Sequence, residues 1–154
     1  MIPIQHIHPI IVHFPIVFVI SLAVFDLAAT VRGANLAGRT ASGNLSAGLA
    51  VLAALSALAA FALGDAALEF AKAGGFSSPV AETHELLARI LVIGLSIWAV
   101  FRAVLWWRNK PLTGGASYLL PAVAVAGAGL LIATAYFGGQ LVYDLGVNVS
   151  KMSA

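Results

Sequence analysis

A chain of 154 residues, 61% hydrophobic and only 9% charged, is too apolar for a water-soluble globule, in which about 25% of residues carry charge. It has no cysteine, which excludes disulfides, iron–sulfur clusters and thiolate metal sites. Its net charge of +2 comes without any basic run or aromatic–basic alternation of the kind that binds nucleic acid. The expectation is an all-α integral membrane protein, a single four-span transmembrane domain over residues 1–154.

The chain opens on "MIPIQHIHPIIVHFP". With no positive region ahead of the apolar run and no small-residue cleavage site after it, this does not read as a signal peptide. A bilayer span needs about 20 apolar residues in a helix. The first such segment runs over 9–31, with Pro9 at its start, where a missing N–H costs little. Pro15 lies inside it and should kink the helix or mark a late start. The second span covers 44–70, the third 79–107 and the fourth 117–145. The third ends in an aromatic anchor, "WWR" at Trp106 to Arg108. The connections "RGANLAGRTASG", "KAGGFSS" and "RNKPLTGG" are short, so neighbours should be antiparallel in an up-down-up-down bundle with both termini at one end. Arg32, Arg39, Arg108 and Lys110 gather at the opposite end, against Lys72 and Lys151 on the terminal side. The positive-inside rule then points the termini outward, into the periplasm of a bacterium, with the protein in the inner membrane.

A faint repeat joins the two halves. His8 precedes Arg32 by 24 residues, as His84 precedes Arg108. Aligning Gly64-Asp65 on Gly139-Gln140 also sets Glu69 on Asp144.

The topology collects polar residues at the outer end. His6, His8 and His13 come from the first span, Asp65 and Glu69 from the second. Glu82, His84, Glu85 and Arg89 come from the third, and Tyr136, Gln140, Tyr143 and Asp144 from the fourth. Interfacial placement alone accounts for His6, Glu69, Lys72 and Asp144, since polar residues prefer helix ends. Ionisable groups further in are costly and mark functional sites by default. All four histidines stand at this one end, and neutral imidazole ligates haem iron, copper or zinc. The second and fourth spans, "SAGLAVLAALSALAAFALG" and "AVAVAGAGLLIATAYFGG", have two readings. They permit close helix contact, or they leave volume for a planar macrocycle. A haem b with two axial histidines in a four-helix bundle is chemically coherent.

Two arguments choose the ligands differently. Counting from Pro9, His13 lies about 6 Å along its helix, and His84 about 7.5 Å from Pro79. Matched depth favours His13 with His84, leaving His8 at the pocket mouth. The repeat favours His8 with His84. Arg89 is a counter-charge to a propionate or a quinone oxygen, or a partner for Glu85 one turn back. Asp65 and Tyr143 are expected to orient an imidazole or propionate. Asp26 is expected to pair with Arg102 or Arg32.

The stretch "HPIIVHFPIVF" with Phe25-Asp26, "LGD" at Leu63 to Asp65, a histidine opening the third span, and "GGQLVYDLGVNV" at Gly138 to Val149 resembles a family of four-span bacterial membrane proteins, domain of unknown function 2231. The resemblance covers nearly the whole chain. Its motif residues fall here on His8, Pro9, His13, Phe14, Pro15, Asp65, His84, Gly139, Tyr143 and Gly146. It implies the four-span fold and a haem held by histidines; it implies no reaction. The expected function is a small membrane cytochrome b, or the haem-bearing subunit of a redox complex, passing electrons between a periplasmic partner and the quinone pool. Two rivals remain: a cofactor-free scaffold or assembly subunit, and a transporter capturing copper or zinc with the N-terminal histidines. Two methionines and no cysteine argue against handling of Cu(I).

Overall fold

The computed structural model describes residues 4–147 and residue 149, with side chains from residue 7. Six elements follow one another: α1 (Ile4–Ile11), α2 (His13–Val31), α3 (Ala41–Ala73), α4 (Pro79–Trp107), a short 3₁₀ turn (Gly114–Tyr118) and α5 (Leu119–Tyr143). Four helical stretches are long and apolar enough to cross a membrane: Ile7–Val31, Ala41–Ala73, Pro79–Trp107 and Gly114–Tyr143. They coincide with the four predicted spans. α1 and α2 together make the first, interrupted at Val12. The interruption follows from Pro15, whose ring cannot donate to the carbonyl four residues back, at Ile11. The bond from Ile16 N to Val12 O is correspondingly long, at 3.4 Å.

The helix ends follow local chemistry. Thr40 Oγ accepts from Gly43 N at 2.9 Å and starts α3. Ser78 caps α4 through Val80 N, with Pro79 as the first helical residue. Gly33 (φ 69°) and Gly75 (φ 86°) take the left-handed turns that end α2 and α3.

The helices form a ring in chain order, α2 beside α3, α3 beside α4, α4 beside α5 and α5 beside α2. α2 therefore faces α4 across the bundle, and α3 faces α5. Both ends of the described chain lie at one end of the bundle, with the 74–78 connection. The core is made of larger side chains from α2 and α4 (Val19, Leu22, Leu91, Leu95) set against Ala50, Ala53, Ala54 and Ala57 of α3 and Ala124 and Ala128 of α5. Ala53 is fully buried. Of the two readings of the small residues, close helix contact is what they serve along the middle of the bundle.

The halves are related residue by residue. Each of the seven buried residues of α5, Leu120 to Leu141, is the image of a buried residue of α3 74 positions earlier. Between α2 and α4 the separation is 76: Pro15 maps on Leu91, Val19 on Leu95, Ala23 on Ala99 and Asp26 on Arg102, all buried. The first three helices and the last two thus form two like hairpins in the same orientation, related by an approximate twofold axis along the bundle. The predicted repeat is present, but its second half shifts by one residue. Gly64 corresponds to Gly138 rather than Gly139, so Asp65 corresponds to Gly139 and Glu69 to Tyr143.

Candidate functional site: two imidazoles held by main-chain carbonyls

His8 and His84 are images of one another and are held alike. His8 Nδ1 lies 2.9 Å from the carbonyl oxygen of Ala60, on α3. His84 Nδ1 lies 2.9 Å from that of Thr134, on α5. Ala60 and Thr134 are themselves images. A carbonyl only accepts, so each Nδ1 carries the proton and each Nε2 keeps its lone pair. Among the described residues neither Nε2 has a hydrogen-bond partner. Each ring also rests on a glycine one turn further along the same helix. A Cβ on Gly64 would stand 2.8 Å from His8 Cε1, and one on Gly138 would stand 3.0 Å from His84 Cε1. Glycine is required there because the imidazole occupies the place of its side chain. Both rings are partly buried.

The remaining predicted residues stand elsewhere. His13 is exposed, its Nδ1 3.2 Å from the Ile10 carbonyl of its own helix. Its image in the second half is Arg89, also exposed, not His84. Counted from Pro9, it is His13 that matches His84 in depth. The helix begins at Ile4, and from there His8 lies about 6 Å in, the match to His84. His8 is held against α3 by the Ala60 carbonyl while His13 stays exposed on the first span, so the structure does not bring the two to one site. The His6 side chain lies outside the described residues. Arg89 takes the nearer of its two partners, Glu85, at 2.6 Å. Glu85 also reaches Lys72 at 3.5 Å, which lies 3.7 Å from Glu69, so this chain of charges ties α3 to α4 at the rim. Asp65 is exposed, and so is Tyr143, at 88%; among the described residues neither hydrogen-bonds an imidazole. Gln140 is partly buried and lines a groove of about 300 Å³ along α5 with Ala135, Tyr136, Gly139, Tyr143 and Asp144.

At the other end, Asp26 pairs with Arg102, the partner offered by the sequence. Arg102 Nη1 donates to Asp26 Oδ2 at 2.5 Å and Nη2 to Oδ1 at 3.3 Å. Ser46 Oγ donates to the carboxylate and accepts from the guanidinium. All three residues are buried. The Trp98 ring lies 5.8 Å from the guanidinium, and its indole Nε1 is buried with no partner among the described residues. Sequence reasoning overlooked Ser46, the two seating glycines and the two accepting carbonyls. Alignment of the halves at 76 for the first helix and 74 for the second would have found the glycines and the carbonyls.

The fold and this paired-histidine end define a four-span membrane protein built from two like hairpins. The family described as "Predicted membrane protein (DUF2231)" matches residues 5–151, and the chain belongs to it. Among curated proteins and among solved structures, nothing matches.

Proposed function

We propose that this protein is a small membrane cytochrome b, or the haem-bearing subunit of a larger membrane redox complex, with His8 and His84 as the axial ligands of one haem b. The observation that carries this reading is the matched pair. Two imidazoles on facing helices are each fixed by an Nδ1–H to carbonyl bond, each with Nε2 left as a ligand. A carbonyl on the far nitrogen is the usual way a protein sets the tautomer and aim of a ligating histidine. The donor set fits haem, since an iron already held by four porphyrin nitrogens needs only two further ligands. It fits a bare copper or zinc ion less well. Such ions take three or four protein ligands, and among the described residues no group of three or more His, Asp or Glu converges.

When bound, the haem supplies a one-electron couple; the chain supplies two neutral imidazoles at fixed orientation. A group held by two such imidazoles would serve electron transfer rather than oxygen binding. By the positive-inside rule, Arg32, Arg39, Arg108 and Lys110 lie on the cytoplasmic side of a bacterial inner membrane. The histidine end then meets a periplasmic partner, and electrons pass between it and the quinone pool. The groove along α5 past Gln140 offers a quinone ring a place to approach.

Protein made with ample haem and purified in detergent should show a Soret band and a sharp low-spin band in the reduced-minus-oxidised spectrum. His8→Ala and His84→Ala should each abolish the low-spin signal, and His13→Ala should retain it. A wild-type protein without a Soret band overturns the reading and reassigns the imidazoles to docking a partner subunit.

A further inference from the structure

The ion pair at the arginine end is independent of whatever the imidazoles hold. Asp26 and Arg102 are 76 residues apart, the same separation as His8 and His84. They are therefore the same position in the two hairpins, facing each other across the approximate twofold axis. Every other buried position matched between α2 and α4 is apolar in both halves; only here has one half taken an acid and the other a base. Both groups are almost wholly enclosed, at 0% and 2% exposure, so neither can turn to water for compensation.

This arrangement has a consequence for assembly. Two like hairpins with like apolar faces could pair within a chain, or each with its own copy in a second chain. The other matched positions distinguish these outcomes less sharply, because they are buried in both halves and none of them carries a charge. The axial position distinguishes them. First hairpin against first hairpin sets Asp26 against Asp26; second against second sets Arg102 against Arg102. Each leaves two buried like charges without a counter-ion, which is strongly unfavourable. Only the unlike pairing makes the ion pair. We infer that Asp26 and Arg102 are the recognition element by which each hairpin selects the other kind and refuses the equivalent hairpin of a second copy. A single buried polar contact that sets partner choice in helix assemblies is an established use of such groups, and like-charge juxtaposition is the usual means of refusal.

Ser46 fits the same role. Its hydroxyl meets both the carboxylate and the guanidinium, so it serves the pair in either orientation. The image of Ser46 is Leu120, which is buried with no polar group to offer.

The test uses full-length chains with a lengthened Gly74–Gly75 hinge, so that hairpins are free to exchange. Asp26→Arg alone and Arg102→Asp alone place like charges on the axis. Each should lose at least about tenfold in the yield of monodisperse, protease-resistant protein. The double reversal D26R/R102D in one chain should recover most of it. The two single variants, co-expressed with different tags, should also recover, as a species carrying both tags. There the first hairpin of each chain pairs with the second hairpin of the other, and both ion pairs are restored. The apolar double variant D26L/R102M should fold but lose the choice, giving mixed oligomers from tagged copies. Single variants that behave as wild type, or failure of the rescue within one chain or between chains, overturn the inference. So does a D26L/R102M protein whose tagged copies stay as separate as those of the wild type.

Discussion

A Cβ on Gly64 would crowd His8 Cε1 at 2.8 Å and Nδ1 at 3.1 Å, where one on Gly138 would meet the same atoms of His84 at 3.0 and 3.3 Å. Alanine at either place must displace the ring or the helix that carries it. Crowding of this kind costs about 1–3 kcal/mol, and the tighter contact at Gly64 should cost more. With the proposed haem bound, Gly64→Ala is expected to leave both histidines in the chain yet shift its midpoint potential and lower its retention. Gly138→Ala should do the same to a smaller degree. Measured potentials equal to wild type would mean that the glycines are only convenient small residues. The histidines themselves were legible in the sequence, because imidazoles are rare in such a chain and all four stand at one end. Their partners were not, because a backbone carbonyl carries no mark of its own in a sequence. Ala60 and Thr134 share nothing but position. At the Asp26 site the sequence offered Arg102 or Arg32. The choice needed the fold, which turns Arg32 outward to its own Ala28 carbonyl at 3.4 Å.

The helices show a different balance. Span limits could be read directly from apolar runs and from Pro and Gly at their ends, since burying backbone polar groups in lipid demands continuous helix. The first helix was the exception. Its apolar run is interrupted by polar residues before Pro9, and the sequence reading started it there, whereas the structure continues the helix back to Ile4. The break at Val12 sets how α1 lies against α3. Pro15→Ala should restore the bond to the Ile11 carbonyl and join α1 to α2 in one straight helix. That would stabilise the helix locally but re-aim His8 away from the Ala60 carbonyl. The expected readout is a weakened low-spin signal in a protein that melts no lower than wild type. At the arginine end the two loops clasp each other. Arg39 N donates to Asn109 Oδ1 at 2.8 Å and Arg39 Nη2 to the Trp107 carbonyl at 3.0 Å, while the guanidinium lies 5.4 Å from the Trp106 ring. Asn109 also takes a left-handed turn, with φ 50°. Asn109→Ala loses the accepting amide and strains the turn, for about 1–2 kcal/mol. Asn109→Gly loses only the amide and should cost less. A thermal melt in detergent that ranks the two the other way would sink this account of the clasp.

For the molecule as a whole, the number of spans and the placement of both ends of the described chain at one end of the bundle followed from hydropathy and short connections. The duplication was visible as His–Arg spacing, but its register in the second helix was not. Gly138 and Gly139 are adjacent, and sequence alone gives no reason to prefer one; the seat beneath His84 decides. Sidedness rests on charge. Alkaline phosphatase fused at the C-terminus should be active, and a fusion in the loop at Leu36 should be inactive. The reverse pattern would place the histidine end in the cytoplasm and require a donor or acceptor there instead.

The length of α3 serves as a ruler for the bilayer. Its 33 residues extend about 50 Å, against a hydrocarbon thickness of about 30 Å. Trp106 donates its indole N–H to Asn44 Oδ1 at 2.7 Å, and tryptophans of this kind lie at the headgroup level. From Asn44, about 30 Å of helix is about twenty residues, which arrives at Gly64, the floor under His8. On this ruler the paired imidazoles are expected at the waterline of the opposite leaflet, not at the midplane. A haem there would have one edge among headgroups and within reach of water-soluble donors. In sealed vesicles of uniform orientation, a reductant that cannot cross the bilayer should reduce it rapidly from the histidine side and slowly from the other. Equal rates from both sides would place the iron deeper than this ruler allows.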